Sequence, residues 1–148
     1  MQIIMLFLLL FYTNSSYQDQ IDPKEAYCLA RAIYHEARGE PIEGQMAVAQ
    51  VVMNRVNSQT RYPNTVCEVV YQPHQFTDIL KKEPNTDTSE WVLATEIAVF
   101  TMAGFIQSDL VGQSTHYYAH NKIKTPKWAK EKTLIAVVGN HSFYGKVN

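Results

Sequence analysis

The chain has 148 residues, 46% of them hydrophobic, and its 13 Lys and Arg nearly balance its 14 Asp and Glu. This length is enough for one domain with its own core, and the composition excludes a fibrous or disordered chain. Because no basic stripe runs along the sequence, we expect no nucleic-acid partner. Nine Tyr and two Trp favour a carbohydrate-binding surface, since sugars stack on aromatic faces, although most Tyr fill space in a core.

Residues 3–12 form an uninterrupted apolar run at the N-terminus. The run is too short to span a bilayer comfortably and suits the hydrophobic region of a signal peptide. Small residues follow at 13–16, but no Lys or Arg precedes the run, so an uncleaved anchor is the alternative. We assign residues 1–20 to a signal peptide or anchor and residues 21–148 to one folded domain. We therefore expect an exported protein, in the periplasm, the cell wall or the exterior, that meets the membrane only through its N-terminal segment.

The first predicted helix covers residues 22–38, with Asp22 as its N-cap and Gly39 just after its end. Glu36 falls on the apolar stripe of this helix, in its last turn. Partial burial and the negative end of the helix dipole would both raise the pKa of a carboxyl group there, as a general acid needs. The alternative is a structural ion pair with a nearby arginine, Arg31 or Arg38.

A second helix is predicted over residues 41–57. It is apolar around most of its circumference, as expected of a central, buried helix. Its polar exceptions are expected to bind neighbouring backbone, and a buried Asn or Gln close to Glu36 could instead orient that residue. They are Gln50, Asn54 and Arg55. Glu40 and Glu43 are interpreted as acids that match the dipole at the helix start, with Glu40 as its cap.

Beyond the second helix, the pattern changes from helical to extended. Thr65 is predicted to cap a short helix that ends near Tyr71, and a long, mostly buried helix is predicted to begin at residues 87–89 and to end at residues 109–113. Three extended segments follow, with a turn at Gly139 and Asn140 between the last two. They cover residues 114–120, 133–138 and 141–144, and a basic loop at 121–132 lies between the first two. The pattern predicts an α+β fold, a mainly helical domain with a small antiparallel β-hairpin region.

The two cysteines suit an exported protein. Cys28 lies in the first predicted helix and Cys67 in the short one. In an oxidising compartment one disulfide would join these two elements, and two buried free thiols are the alternative.

Most familiar catalytic patterns are missing from the sequence. The start His35-Glu36 resembles a zinc-protease motif, but Gly39 occupies the position of the second histidine. A zinc site built on three other histidines is an open alternative: His116, His120 and His141. No nucleophile elbow, phosphate loop or dinucleotide fingerprint occurs. One well-placed carboxyl group remains, without a clear second carboxylate, which makes chemical sense if the substrate supplies its own nucleophile.

One run of residues is similar to the signature of the SleB-type cell-wall hydrolases, a family of spore cortex-lytic enzymes and related bacterial and phage proteins. It reads AIYHEARGEP at positions 32–41 and continues as EGQMAVAQVVMNRV at positions 43–56. Shorter matching pieces follow in the same order, and the resemblance covers residues 23–144. They are YPNTV at 62–66, VYQP at 70–73, QFT at 75–77, THYY at 115–118, and Trp128.

The resemblance implies a lysozyme-like fold and cleavage of the peptidoglycan glycan strand between N-acetylmuramic acid and N-acetylglucosamine. It also implies that Glu36, selected above from the helix pattern, is the catalytic acid. Family members that act as lytic transglycosylases use one glutamate, first as acid and then as base, and give 1,6-anhydromuramoyl products. A hydrolytic muramidase or glucosaminidase with water as nucleophile is the alternative, and a non-catalytic wall-binding protein is another.

The resemblance further implies that polar and aromatic residues bind the glycan. The predicted substrate-binding residues are Arg38, Gln75, Phe76, Thr77, His116, Tyr117, Tyr118 and Trp128. For Tyr118 and Trp128 a place in the core is the alternative, and His116 could instead brace a loop. We expect a monomer that acts on peptidoglycan glycan strands without a metal or other cofactor.

Overall fold

The computed structural model describes residues 21–59, 61–73, 75, 76, 79 and 81–146. Four helices are followed by three strands, which confirms the predicted α+β class. The helices are α1 (Pro23–Ala37), α2 (Ile42–Val56), α3 (Val66–Val70) and α4 (Ser89–Met102), and the strands are β1 (His116–Ala119), β2 (Thr133–Val138) and β3 (His141–Gly145). Two short 3-10 helices cover Asp109–Val111 and Lys127–Glu131. Within the part of the chain so described, no helix is long and apolar enough to cross a membrane. The predicted N-terminal signal peptide or anchor, residues 1–20, lies outside the described residues.

The first helix has the boundaries that its caps predict. The Asp22 side chain accepts a hydrogen bond from the Lys24 backbone N–H, as an N-cap does. The helix ends at Ala37, and Gly39 two residues later has φ +84°, a conformation that glycine adopts without a steric penalty. Glu36 therefore lies in the last turn of α1, as expected.

Helix α1 is joined to α3 by a covalent bond and a long-range cap. Cys28 and Cys67 form a disulfide with an S–S distance of 2.06 Å, which confirms the predicted pairing. The Glu25 carboxylate accepts hydrogen bonds from the backbone N–H groups of Val66 and Cys67, at 2.6 and 3.1 Å. A side chain of α1 thus satisfies free N–H groups at the start of α3, while Thr65 caps the same end as predicted.

Helix α2 is the central helix of the domain, as predicted. Nine of its fifteen residues are buried, among them Val48, Val51 and Val52, which are fully excluded from solvent. One side of α2 packs with α1, α3 and α4, and the other side packs against Phe143 of the sheet. The other helices and the sheet therefore pack on α2, although they are distant from one another in the sequence.

The predicted long helix is shorter and less buried than expected. Helix α4 ends at Met102 because Gly104 has φ +80°, and residues 109–111 form a separate 3-10 helix. Only four of its residues are buried, whereas Val92 and Phe100 are about half exposed. The prediction was wrong because apolar composition does not show which side of a helix has a packing partner.

The strands form one antiparallel sheet in the order β1-β3-β2. The prediction of a hairpin region is correct for β2 and β3, and β1 adds a third strand on the far side of β3, with Tyr117 opposite Phe143. Strand β3 is buried along its whole length, so it forms the spine of the sheet. The sheet thus carries Tyr117 toward the helical part of the domain.

Glu40 has a different role from the one predicted. Pro41 occupies the N-cap position of α2, and no side chain caps that end. The Glu40 carboxylate instead accepts two hydrogen bonds from Asn140, one from the backbone N–H and one from the side-chain amide, both at 3.0 Å. Burial raises the pKa of Glu40, but these two hydrogen bonds outweigh it, and the pKa is lowered overall. The residue therefore fastens the β2–β3 turn to the corner between α1 and α2.

Candidate active site

A cleft of about 580 Å³ opens where the end of α1, the last turn of α2 and the sheet meet. It has a single acidic side chain among the described residues that line it, and that side chain is Glu36. The lining residues are His35, Glu36, Arg55, Gln75, His116, Tyr117, Tyr118, Ala119, Lys122, Ile123, Trp128 and His141.

Glu36 and Tyr117 form the centre of the cleft. Glu36 is partly buried in the last turn of α1, and the Tyr117 hydroxyl donates a hydrogen bond to its carboxylate. Burial, followed by the negative charge of Glu36, raises the pKa of Tyr117 well above its usual value. Tyr117 therefore stays protonated and remains a donor to the carboxylate. The raised pKa expected for Glu36 itself stays a prediction.

Arg55 lies beside this pair, although it was not among the predicted site residues. Its side chain is only 4% exposed, and its Nε donates a hydrogen bond of 2.8 Å to the Thr115 carbonyl. The guanidinium carbon lies 5.3 Å from the ring centre of Tyr62 and 5.4 Å from that of Phe76. Burial lowers the pKa of Arg55, and the nearby Glu36 charge partly restores it. The attraction is mutual, so the cation also favours the ionised carboxylate.

The polar residues of α2 hold the strand that supplies Tyr117. Asn54 donates hydrogen bonds from its side-chain amide to the carbonyls of Gly112 and Ser114, at 2.8 and 2.9 Å. Gln50 accepts a hydrogen bond from the Ser108 backbone N–H. Together with the Arg55 bond to the next carbonyl, these contacts confirm that the polar exceptions of α2 bind neighbouring backbone. They fix the segment that leads into β1 against the central helix.

His116 lines the cleft with an uncharged ring. Burial, and then the positive charges of Lys132, Arg55 and Arg61, lower its pKa to about 4. The ring is therefore uncharged at neutral pH, and its Nδ1 lies 2.9 Å from the Thr115 hydroxyl oxygen. A neutral imidazole offers one donor and one acceptor to a ligand or a neighbour.

An aromatic wall closes one end of the cleft. Tyr118, Trp128 and Tyr144 pack on one another with ring centres 5.4 to 6.0 Å apart. The His116 ring adjoins Trp128 at 5.2 Å. Tyr118 and Trp128 belong to a small buried cluster and also line the cleft, and their predicted role in binding sugar stays a prediction. This arrangement fixes the rings that face the opening.

His141 and Lys122 also line the cleft; from the sequence, His141 was considered only as a possible zinc ligand and Lys122 was not considered. His141 lies on β3, is 3% exposed, and has no hydrogen-bond partner for Nδ1 among the described residues. Burial lowers its pKa, while the charge of Glu40 opposes the change. Lys122 follows β1 at the start of the basic loop. Neither belongs to a motif, and only the pairing of β1 with β3 brings them together.

The structure gathers most, but not all, of the predicted site residues around Glu36. Those that line the cleft are Gln75, His116, Tyr117, Tyr118 and Trp128. Phe76 is instead buried in the core under Arg55. Arg38 points away from the cleft, stacks on the Tyr34 ring at 4.7 Å and donates a hydrogen bond to the Tyr34 carbonyl. Thr77 lies outside the described residues.

The alternative partners proposed for Glu36 have other contacts. Arg31 donates a hydrogen bond to the Tyr71 hydroxyl and forms an ion pair of 3.4 Å with Glu83. As described above, Arg38 binds Tyr34. Arg55, whose charge acts on Glu36, belongs to α2.

The zinc alternative lacks a ligand set in this fold. His116 and His141 line the cleft, but His120 is exposed and its Nδ1 lies 3.0 Å from the Ser142 hydroxyl oxygen. Among the residues that the structure describes, no three His, Cys, Asp or Glu side chains are grouped so that they could hold a metal ion.

The sequence and the fold were compared with known proteins. The family described as Cell Wall Hydrolase (Hydrolase_2) matches residues 39–144. The spore cortex-lytic enzyme of Bacillus subtilis (strain 168) is 35% identical over 119 residues, which are 78% of this chain and 35% of that protein. The chain therefore spans about a third of the length of this curated relative.

Two solved structures resemble this fold closely. The catalytic domain of the germination-specific lytic transglycosylase SleB from Bacillus anthracis has a TM-score of 0.70 and 29% identity, covering 85% of this chain and 98% of that chain. The catalytic domain of the Bacillus cereus SleB protein has a TM-score of 0.68 and 32% identity, covering 84% and 91%. These likenesses confirm the lysozyme-like fold. The chain belongs to the cell wall hydrolase family.

Proposed function

We propose that the protein cleaves peptidoglycan glycan strands as a lytic transglycosylase, with Glu36 as its single acid and base. The observation that carries this proposal is the cleft itself, where Glu36 is the one acidic side chain among the described lining residues. Hydrolytic glycosidases generally need a second carboxylate to activate water or to form a covalent intermediate. A transglycosylase does not, because a hydroxyl of its substrate is the nucleophile.

The reaction balances with one carboxyl group. Protonated Glu36 gives its proton to the glycosidic oxygen between N-acetylmuramic acid and N-acetylglucosamine, and the C1–O bond of the muramic acid breaks. The carboxylate then takes the proton of the muramic acid C6 hydroxyl, and the C6 oxygen bonds to C1. A 1,6-anhydro ring forms, no water is consumed, and Glu36 is protonated again for the next turnover.

Tyr117 and Arg55 support both states of Glu36 in this scheme. The Tyr117 hydroxyl holds the carboxylate in one orientation, and the buried cation of Arg55 stabilises the negative charge left after the proton is given away. Because both groups are fixed by β1 and α2 before substrate binds, they need little rearrangement during the reaction.

The remaining lining residues are proposed to bind the sugar chain. Tyr118 and Trp128 offer aromatic faces, and Gln75 and the neutral His116 offer hydrogen-bonding groups. The two solved SleB domains support a substrate of this class, since one of them is described as a lytic transglycosylase.

The deciding experiment is mass spectrometry of fragments released from purified peptidoglycan, with Glu36→Gln as the matched variant. We expect the wild-type protein to release muropeptides lighter by one water than hydrolytic products, and the variant to release none. Full-mass muropeptides with a reducing end would establish a hydrolase. Activity retained by Glu36→Gln would reject Glu36 as the acid.

We further propose that the protein works outside the cytoplasm as a monomer at the cell wall. Its disulfide suits an oxidising compartment, and its proposed substrate lies there. Cell fractionation with an antibody against the domain tests the location, and sedimentation tests the oligomeric state.

A further inference from the structure

Positive charge is concentrated in and around the cleft. Lys122 and Arg55 line it, and Lys132 and Arg61 lie close enough for their charges to lower the pKa of His116. Counted in the same way among the described residues, two carboxylates oppose these four cations: Glu36, which lines the cleft, and Glu40, whose charge acts on the lining residue His141. The cleft therefore attracts anions, although the whole chain has a formal net charge of −1.

The basic loop between β1 and β2 supplies two of these cations. Residues 121–132 contain five Lys and a single acidic residue, Glu131. Lys122 and Lys132 lie near the two ends of this loop, where it leaves β1 and enters β2, and those are the two lysines that act on the cleft. The other three lysines are exposed and are not among the lining residues.

Arg55 provides a second, independent sign of a ligand. Although the side chain is only 4% exposed, its Nη1 has no hydrogen-bond partner among the described residues. Burying a donor without a partner is unfavourable, so such groups are usually satisfied by something that binds there. Arg55 lines the cleft, where a bound group can approach it.

The sugar rings of a glycan strand are uncharged and do not need four cations. Negative charge on such a strand lies on the substituents of muramic acid: the carboxylates of its peptide stem, or the lactyl carboxylate where the stem is absent. We infer that the cationic side of the cleft binds carboxylates on these substituents, so that the protein prefers strands carrying free carboxylates to strands without them. This inference rests on the proposed function and adds a substrate preference to it.

The test measures binding separately from cleavage. Glu36→Gln protein, which should bind without turnover, is titrated calorimetrically with three matched oligosaccharides. The first carries peptide stems, the second only the lactyl carboxylates, and the third has the lactyl carboxylates converted to neutral amides, so that the N-acetyl groups are kept and no carboxylate remains. We expect the first to bind at least tenfold more tightly than the third, with the difference shrinking as salt is raised.

The variants test whether the named lysines cause the preference. Replacing Lys122 and Lys132 together by Gln in the Glu36→Gln protein should reduce the preference about tenfold, since each exposed ion pair contributes up to about a fivefold change. Lys130→Gln is the matched control, because Lys130 belongs to the same loop but does not line the cleft. It should keep the full preference.

Each outcome bears on a different statement. Tighter binding of the first oligosaccharide alone assigns the site to stem carboxylates, and equal binding of the first two assigns it to the lactyl group. Equal binding of all three, or a preference for the neutral amide, overturns the inference. Cleavage of the same oligosaccharides by the wild-type protein tests the proposed function separately, because a binding preference without cleavage would count against that function alone.

Discussion

The hydrogen bond between Tyr117 and Glu36 links the sheet to helix α1 through one hydroxyl group. A hydrogen bond to a charged group contributes about 1.5–3 kcal/mol, more than one between neutral groups. If the carboxylate is formed during the reaction, losing this donor affects the transition state more than the bound substrate.

Tyr117→Phe should therefore lower kcat by about tenfold to a hundredfold with little change in KM. The rate of fragment release at saturating and limiting substrate separates the two constants. Tyr71→Phe is the matched control, since its hydroxyl accepts a hydrogen bond from Arg31 away from the cleft. A wild-type kcat for Tyr117→Phe would show that the hydroxyl is not used.

His116 makes the domain sensitive to acid. Its pKa of about 4 in the folded protein lies below the ordinary value of 6.5. As pH falls below 6.5, His116 is protonated in the unfolded chain but stays neutral in the folded chain. The free energy of unfolding therefore falls between about pH 6.5 and pH 4.

His116→Gln should remove this part of the acid sensitivity. Because the ring is half-buried, solvent screening reduces the effect to about 1–2 kcal/mol. Denaturant unfolding at pH 7 and pH 4.5 measures the effect: the free energy of unfolding should fall less between these two pH values in the variant than in the wild type. The exposed His120→Gln should lose as much stability as the wild type, and identical losses in all three proteins would contradict the assignment.

Among the elements, the β2–β3 turn depends on a contact with the α1–α2 corner. Gly139 has φ +55°, and a Cβ built on it would overlap the Glu40 carboxylate that binds Asn140. Gly139→Ala should lower the free energy of unfolding by about 2–4 kcal/mol, from backbone strain and lost hydrogen bonds together.

Gly104→Ala separates the two contributions. Gly104 also has a positive φ, of +80°, but a Cβ there would meet no atom within 4 Å. Its substitution should cost only about 1–2 kcal/mol, the conformational part alone. Equal losses in the two variants would mean that the contact with Glu40 contributes nothing to stability.

These contacts also show which features a sequence can predict. Asp22, Thr65 and Thr88 cap helices through backbone groups two or three residues away, and such caps follow from local order. Glu40 binds Asn140, 100 positions later, and Glu25 binds the start of α3, 41 positions later. Glu40 was interpreted from local rules as an acid at the start of α2, and Glu25 lies in the first turn of α1. Local rules could not indicate the distant partner of either glutamate.

The same limit explains how much of the site was predicted. Glu36 was identifiable because helix period and cap together fix its place, and the family motif selects it as well. Arg55 was noticed as a polar residue on an apolar helix, but its side chain's direction depends on Tyr62 and Phe76. Arg38 belongs to the motif, yet it packs on Tyr34, outside the cleft.

At the scale of the whole molecule, the Cys28–Cys67 disulfide joins positions 39 apart in the sequence. Closing a loop of this length in the unfolded chain corresponds to roughly 4 kcal/mol in the chain-entropy relation. That is a large share of the stability of a domain of this size.

Replacing both cysteines by Ala should therefore lower the free energy of unfolding by about 2–5 kcal/mol. Chemical denaturation in oxidising buffer measures this, and the wild-type protein under reducing conditions should lose a similar amount. A double variant as stable as the oxidised wild type would show that the packing of α1 on α3 is sufficient without the bond.

The hydrogen bonds from α2 to residues 112–115 distinguish two parts of the domain that should differ in how well they tolerate substitutions. Arg55 belongs to the central helix, the segment leading to Tyr117 is hydrogen-bonded to that helix, and α1, which carries Glu36, packs against it. Substitutions among these three residues should therefore disturb one another. The mostly exposed loop at 121–132 has no such anchor to α2 among the hydrogen bonds described here. Exchanging that loop between family members should therefore change which wall polymer is preferred, while the reaction that cleaves the bond stays the same.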